Sequence, residues 1–451
     1  MQDTVIIGAG PAGLSTAYHL NGPSWQILEQ HERVGGLCRS IEDGGFTFDY
    51  AGHIMFTNSD YVKDVMYPKL LGDNVHWQDR EAWVYSNGVY TRYPFQASTY
   101  GLPEEIVKDC IMGAIKARYE QDHGKEPQNF KEYIEMFWGE GIARHFMMPY
   151  NQKLWAVPLE EMSHTWLSGR VPQPNLEEII MGGLRPLPKP IGPNARFGYP
   201  IKGGFESLVR GFLPYLDERR IRLNTRITAI HPTQHKVTLA DGSSISYKRL
   251  VVTMPLPVLV NNLLTSAPAA VKAAASRLRH VSVRCVNLGI NRGDVTDKHW
   301  IYYPEDTVFH RIFVQSNASK DCAPPGTTGL TCEITYSAYK PLPEEGLIER
   351  CIEDCKRVGM IREGDEVLVA NQADLPYAYV VPDTWKEQSV KTIRDWLESV
   401  DIILSGRFAE WEYYNSDHAI LAGKRAAEKV NDMFAKERFS VASDDAIAAA
   451  S

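Results

Sequence analysis

Residues 5–13 read VIIGAGPAG, an apolar run followed directly by glycines at the spacing GxGxxG. The apolar run predicts a buried strand, and the residues after the glycines predict a helix followed by a second strand at Trp25–Leu28. Gly8 allows a tight turn, Gly10 allows the backbone to approach a pyrophosphate, and Gly13 allows close packing of the helix on the strand. The segment therefore predicts a βαβ unit of the Rossmann type, which binds a dinucleotide at the N-terminus of its helix.

The residues that follow indicate which dinucleotide is bound. Glu29 ends the second strand, where an acid binds the ribose hydroxyls of adenosine and disfavours a 2′-phosphate. A second glycine pair, Gly35 and Gly36, lies between Arg33 and Arg39 and would lay another loop against the pyrophosphate. This combination resembles the large FAD family of glutathione-reductase-like and amine-oxidase-like proteins. The resemblance implies non-covalent FAD rather than NAD, held by Gly8, Gly10, Pro11, Ala12, Gly13, Glu29, Gln30, Gly35, Gly36, Leu37, Arg39, Gly203, Gly204, Ile227, Gly406, Arg407, Asn415 and Asp417.

Composition restricts the class of protein. The chain has 451 residues, of which 44% are hydrophobic and 23% charged, as in an ordinary globular protein with two or three structural units. Its net charge of -8 gives no overall attraction for nucleic acid, and no apolar run is long enough for membrane insertion. Seven cysteines without a CxxC pair predict neither a disulfide framework nor a metal site, so we expect a cytoplasmic protein.

The pattern along the chain predicts an α/β fold in which a Rossmann-type FAD-binding domain is discontinuous. An inserted helical domain and a second, antiparallel β-sheet domain complete it. The predicted boundaries are 1–100, 191–280 and 386–436 for the three parts of the FAD-binding domain, 101–190 for the helical substrate-side domain, 281–385 for the sheet domain, and 437–451 for a flexible tail.

Six further motifs, in order along residues 1 to 430, make the resemblance more specific. They are DYAGHIMF (49–56), YPFQ (93–96), PYNQKLWAVP (149–158), WLSGRVPQPN (166–175), YPIKGG (199–204) and GRFAEWEY (406–413). Together they resemble the UDP-galactopyranose mutases, particularly the longer eukaryotic type. The resemblance implies a redox-neutral isomerase in which N5 of reduced FAD attacks the anomeric carbon of a nucleotide-diphosphate sugar, with NADPH or NADH as the reductant.

The family resemblance also implies catalytic residues. Arg170 and Arg311 match its two diphosphate-binding arginines, and because they stand far apart in sequence they would meet only across a cleft. Tyr377 and Tyr413 match tyrosines that close over the diphosphate, although Tyr379 competes with Tyr377 for this position. His53 matches a loop residue whose backbone carbonyl accepts a hydrogen bond from the reduced flavin. The substrate-binding positions implied are Arg80, Tyr93, Gln96, Asn151, Trp155, Asn194, Tyr302 and Tyr379.

Three questions stay open at the level of sequence. An oxidase of the amine or protoporphyrinogen type would share the FAD-binding domain, and a flavin-binding module without turnover is a further alternative. The sugar and the base are not determined, although UDP-galactopyranose is the family default. The sequence is also compatible with a homo-oligomer.

Overall fold

The computed structural model of the protein describes residues 2–22, 24–120, 125–167, 171–189, 191, 195–343 and 345–450, with side chains described as far as residue 437. The strands are β1 (Gln2–Ile7), β2 (Trp25–Leu28), β3 (Ser40–Asp43), β4 (Phe46–Asp49), β5 (His76–Asp79), β6 (Ala82–Ser86), β7 (Val89–Arg92), β8 (Arg196–Tyr199), β9 (Ile221–Arg222), β10 (Ile227–His231), β11 (Lys236–Leu239), β12 (Ser244–Val252), β13 (His280–Ile290), β14 (Trp300–Tyr302), β15 (Arg311–Val314), β16 (Thr328–Tyr336), β17 (Val367–Val380) and β18 (Ile402–Leu404). The α-helices are α1 (Pro11–His19), α2 (Tyr67–Leu71), α3 (Glu104–Tyr119), α4 (Phe130–Ile142), α5 (Met148–Trp155), α6 (Leu176–Leu184), α7 (Glu206–Arg210), α8 (Leu256–Val258), α9 (Ala269–Arg277), α10 (Gln315–Ala318), α11 (Leu347–Arg357), α12 (Lys386–Ser399) and α13 (Ser416–Ala450).

The first sheet brings together three distant parts of the sequence. Its strands lie in the order β10-β11-β12-β1-β2-β9, and β18 pairs with β12. β1 runs parallel to β2 and β12, and β12 runs parallel to β18, so the apolar strands lie at the centre of the sheet. The prediction of a discontinuous Rossmann-type domain is confirmed.

The second sheet has the order β17-β13-β16-β15-β14-β6-β7. Its pairs are antiparallel except for β14 with β6, which run parallel, so the sheet is mixed rather than purely antiparallel. β6 and β7 lie within the range 1–100 predicted for the FAD-binding domain, yet they extend this second sheet. β6 alternates between buried and partly buried residues, but this pattern does not identify the sheet that the strand joins, so a local reading of the sequence could not assign it.

The stretch predicted to be helical contains α3, α4, α5 and α6. α3 packs along α4, whose buried face includes Phe130, Ile134 and Trp138. Among these helices, α5 contacts β16 of the second sheet. This packing places α5 beside the strands that carry the candidate substrate residues.

The last helix, α13, packs against α1 and completes the first domain. The sequence predicts its end near residue 434 and a loose tail from residue 437, whereas the helix continues to Ala450. The five alanines among residues 437–450 favour the extension. Within the described ranges, no helix is both long and apolar enough to cross a membrane.

Candidate cofactor and substrate site

The glycine-rich turn between β1 and α1 has the geometry of an anion-binding site. Gly8 has a φ of 98°, which favours glycine. A Cβ atom at Gly13 would lie 2.0 Å from the carbonyl oxygen of Gly8, so a larger residue would force α1 away from β1. Gly10 is the N-cap residue and contributes no side-chain cap to the helix that Pro11 and Ala12 begin. The first amides of α1 therefore suit a pyrophosphate.

Glu29 fixes the shape of this turn from the end of β2. Its side chain is buried, and Oε2 accepts a hydrogen bond of 2.8 Å from the backbone N–H of Ala9. Oε1 accepts a second hydrogen bond, of 3.0 Å, from the N–H of His31. Each carboxylate oxygen can accept more than one hydrogen bond, so the group can also accept from ribose hydroxyls. The neighbouring Gln30 is exposed.

The second glycine pair closes over the first turn. The N–H of Gly35 donates to the carbonyl of Ala9 at 2.9 Å, and a Cβ at Gly36 would lie 3.1 Å from the Cα of Gly10. Arg39 is buried, and its Nε donates to the carbonyl of Gly36 at 2.9 Å. The following Leu37 packs against an apolar cluster of the second sheet. The two loops are therefore held at the close distance that a dinucleotide needs.

The other cofactor candidates come from segments far along the chain. A Cβ at Gly406 would lie 2.7 Å from the Cβ of Ala12, and a Cβ at Gly204 would lie 2.3 Å from Oγ of Ser40. Asp417 is buried at the start of α13, and Ile227 is buried in the core of the first sheet. The remaining two candidates are Gly203, which precedes Gly204, and Asn415, which precedes α13. An FAD molecule needs close approach to the backbone, an acceptor for its ribose hydroxyls and free N–H groups for its pyrophosphate. The glycines, the buried acid and the uncapped N-terminus of α1 provide these features.

On the substrate side, Arg311 lies at the start of β15 and pairs across the strands with Glu333 of β16. Nε of Arg311 donates to Oε2 of Glu333 at 2.7 Å, and its Nη2 donates to the hydroxyl of Tyr379 at 2.7 Å. The guanidinium also lies 4.8 Å from the ring centroid of Trp300. These contacts fix the plane of the guanidinium.

Glu333 was not identified by the sequence analysis. It is fully buried, and its Oε1 accepts a hydrogen bond of 3.0 Å from the N–H of Gly52, the residue before His53. One carboxylate therefore joins the candidate diphosphate arginine to the loop that carries His53. A glutamate within the buried strand Thr328–Tyr336 is the signal that could have identified it, because a buried carboxylate requires a partner.

Two of the candidate tyrosines meet beside Arg311. The rings of Tyr379 and Tyr413 stack with centroids 5.9 Å apart, and the ring of Trp155 lies within 6.5 Å of both. Arg407 lies over both tyrosine rings, at 5.3 and 4.8 Å, and its Nη2 donates to the carbonyl of Ala378 at 2.8 Å. Arg407 therefore orders this pair.

Tyr377 lies elsewhere. Its ring stacks on His280 at 4.0 Å and contacts the apolar core of the first sheet. The register between β13 and β17 shifts between Val281 and Val283, whose partners are Tyr379 and Leu375. The extra residues of this bulge separate two tyrosines that regular alternation would place on the same face. Of the two competing candidates, Tyr379 contacts Arg311.

A second buried cation lies next to this group. Nη2 of Arg80 donates to the hydroxyl of Tyr302 at 2.9 Å, and the guanidinium lies 5.2 Å from the ring of Trp300 and 6.0 Å from that of Tyr93. Nε of Arg80 and Oε1 of the buried Gln96 have no hydrogen-bond partner among the described residues. Buried polar atoms of this kind are usually paired, so this part of the cleft suits a polar ligand.

His53 is held as a neutral ring. Its Nδ1 lies 3.0 Å from the carbonyl of Ala51, and its ring stacks on Phe205 at 4.9 Å. Burial lowers the pKa of His53 to about 4, and the charges of Arg407 and Arg311 act in the same direction. At neutral pH the imidazole is therefore uncharged.

The helix α5 carries two further candidates. Trp155 is buried against the tyrosine pair, whereas Nδ2 of Asn151 donates to the carbonyl of Met147 at 2.7 Å within its own helix. Arg170 and Asn194 lie outside the described residues, so the predicted meeting of Arg170 with Arg311 stays a prediction. The candidate Gln96 donates to the carbonyl of Pro172 at 2.9 Å.

Comparison with known proteins gives a consistent result. The family model of flavin-containing amine oxidoreductases matches residues 11–431. A crystal structure of reduced UDP-galactopyranose mutase superposes with a TM-score of 0.91 and 31% identity, covering 96% of this chain and 94% of that one. Putrescine oxidase bound to putrescine superposes with a TM-score of 0.68 but only 16% identity, covering 95% of this chain and 98% of that one, so this likeness concerns the fold alone.

Curated relatives are more distant. Polyamine oxidase 4 of Oryza sativa subsp. japonica is 23% identical over 305 residues, which are 63% of this chain and 57% of the relative. The all-trans-retinol 13,14-reductase of Danio rerio is 42% identical over only 53 residues, which are 11% of this chain and 9% of the relative. The chain therefore spans less than two thirds of the length of these relatives.

Proposed function

Because the chain belongs to the flavin-containing amine oxidoreductases and, within them, to the UDP-galactopyranose mutase family, we propose that it interconverts the pyranose and furanose forms of a sugar carried on a nucleoside diphosphate. UDP-galactopyranose is the substrate we propose to test first. The reaction is redox-neutral overall, with FAD acting in its reduced form.

The observation that carries the proposal is the group formed by Arg311, Tyr379 and Tyr413, in which Tyr379 contacts both the guanidinium and the second tyrosine ring. A diphosphate leaving group needs a planar cation that can bind two oxygens, and hydroxyl groups that bind without adding charge. An amine substrate would be repelled by Arg311 and Arg80, so this group favours an anionic substrate over an amine. An oxidase of the amine type remains the alternative and is tested alongside.

FAD, when bound, supplies a nucleophile for the anomeric carbon and so divides a difficult ring contraction into easier steps. We propose that Arg311 neutralises the charge that develops on the departing diphosphate and keeps the diphosphate in place for return. Glu333 holds the guanidinium plane, and Tyr379 and Tyr413 donate hydrogen bonds to phosphate oxygens. Such pre-oriented donors lower the barrier without further reorganisation.

The reductant we propose is NADPH or NADH. The sequence contains one GxGxxG turn, which the FAD site uses, so the nicotinamide would enter the substrate cleft itself. Arg80 is the cation we propose to meet its phosphates or those of the substrate. Arg170 and Asn194 stay proposed substrate-side residues.

The test is incubation of dithionite-reduced protein with UDP-galactopyranose under anaerobic conditions, followed by chromatography for UDP-galactofuranose. We expect interconversion by the reduced protein and none by the oxidised protein. Oxygen uptake with putrescine is measured in parallel. Oxygen uptake without sugar interconversion would overturn the mutase proposal in favour of an amine oxidase, and the absence of both activities would favour a flavin-binding module.

A further inference from the structure

Lys153 is a cation of α5 whose partners are neutral. Its Nζ donates to the carbonyls of Tyr303 and Glu305 at 2.8 and 2.7 Å and to Oγ1 of Thr307 at 2.8 Å. Three acceptors match the three N–H bonds of an ammonium group. A neutral amine would leave one of them without its donor. The side chain is therefore built to hold one particular segment of backbone.

That segment, residues 303–310, connects the end of β14 to the start of β15. Tyr302 and Arg311 form the last pair of this hairpin, directly before and after the loop, so the connection begins and ends at two candidate substrate residues. The N–H of Tyr303 donates to the carbonyl of His310 at 2.9 Å and closes the loop. Thr307, which accepts from Lys153, donates in turn to the carbonyl of Phe309 at 2.6 Å. The contacts of one ammonium group thus extend to within two residues of Arg311.

The same helix also contacts two of the candidate substrate residues through aromatic rings. Tyr150 and Trp155 lie on α5, and their rings contact Tyr302 at 5.3 Å and Tyr379 at 6.0 Å. Nζ of Lys340 lies 3.4 Å from the carbonyl of Lys153, near the C-terminus of the helix. Lys153 is therefore the point at which α5 and the β14–β15 hairpin are joined by hydrogen bonds.

We propose that Lys153 is a positioning residue for the nucleotide-sugar site, which fixes Tyr302 and Arg311 on the hairpin relative to Asn151 and Trp155 on α5. The inference rests on the proposed function, because it concerns the geometry of that same site. A displacement of about 1 Å between binding groups can cost up to about 100-fold in rate or affinity. Loss of the three hydrogen bonds of Lys153 would therefore weaken ligand binding before it unfolds the protein.

Lys153 also has a property that separates positioning from simple stabilisation. Burial, together with the charge of Lys340, lowers the pKa of Lys153 to about 7, against the opposing charges of Asp354, Asp306 and Glu305. Raising the pH through neutrality would remove one of the three donors. Arginine at this position would not titrate and would keep donors for the carbonyls.

The experiment measures UDP binding by calorimetry with wild-type protein, K153M and K153R, with K298M as the matched control. Lys298 lies in the same sheet domain, is also largely shielded, and pairs with Asp297 instead of the hairpin. We expect K153M to bind UDP about 10- to 100-fold more weakly with normal flavin content, and K153R to regain most of that affinity. Wild-type affinity should fall from about pH 6 to pH 9 more steeply than that of K153R.

The inference is overturned if flavin-loaded K153M binds UDP like K298M, or if wild type and K153R show the same pH dependence. Should K153M fail to fold, the comparison of wild type with K153R decides by itself. Wild-type protein that binds no UDP would overturn the proposed function and this inference together. If wild type binds UDP and K153M binds it equally well, only the inference is overturned.

Discussion

Replacement of Arg311 by lysine should weaken the binding of a diphosphate while leaving the fold intact. Alanine is the less informative change, because Glu333 is fully buried and would be left without its partner. Breaking a buried ion pair in this way costs about 3–5 kcal/mol. Lysine keeps the positive charge beside Glu333, so loss of ligand contacts can be measured without loss of structure.

The size of the effect follows from the contacts. Arg311 pairs with Glu333 through Nε and Nη2, and Nη2 also donates to Tyr379, an arrangement of planar donors that a lysine cannot reproduce. A hydrogen bond to a charged group contributes about 1.5–3 kcal/mol. Loss of one such bond to a phosphate oxygen should therefore weaken UDP binding by about 10- to 100-fold, and turnover should fall at least as much.

The assay combines calorimetric titration with UDP, steady-state turnover of the reduced protein and thermal unfolding. Arg292→Lys is the control. Arg292 makes a comparable planar pair with Asp365, with N···O distances of 2.9–3.1 Å, and is not one of the candidate substrate residues. We expect R292K to bind UDP like wild type. Wild-type UDP affinity in R311K, or an equal loss in both variants, would refute the assignment of Arg311 to the diphosphate.

Further changes test the other parts of the site. Tyr379→Phe removes the hydroxyl bound to the arginine, and at about 1 kcal/mol per hydrogen bond kcat/KM should fall by about 5- to 10-fold. Tyr377→Phe removes no contact with the arginine and should change kcat/KM less than about twofold. Equal kinetic effects of the two variants would contradict the distinction between the tyrosines. Gly10→Ala should fold normally, since its Cβ would lie 3.7 Å from the nearest atom, but should purify with less flavin by absorbance because the methyl group occupies the approach to the pyrophosphate. Gly22→Ala, with nothing within 4 Å, should keep its flavin, and full flavin in both would count against the cradle. His53 has a pKa lowered from 6.5 to about 4, so its contribution to stability is complete above pH 6.5 and is lost as the pH falls through 4. The melting temperature of wild type should therefore fall more between pH 6.5 and pH 4 than that of His53→Gln. Parallel curves of melting temperature against pH would show that titration of His53 does not contribute to stability.

Much of the cofactor domain could be predicted because its signals are local. The strand, the glycine turn and the acid at Glu29 occur within a short stretch whose backbone conformation depends on near neighbours. The family resemblance added Arg311, Tyr413 and His53 as candidates. Arg311 contacts Tyr379, which stacks on Tyr413, and Glu333 joins Arg311 to the loop that carries His53. The meeting of Arg170 with Arg311 stays a prediction.

By itself the sequence determined that a βαβ unit with a dinucleotide turn begins the chain, since residue type and spacing suffice to specify a tight turn and a helix N-terminus. Only the tertiary structure decided that Glu333 holds Arg311, that β6 and β7 join the second sheet, and that Tyr379 rather than Tyr377 contacts the arginine. The first two depend on the pairing and register of strands that are distant in sequence, and the third depends on a bulge in β17. Register is set by the burial of whole faces across distant strands, and this energy is not contained in any local stretch of residues.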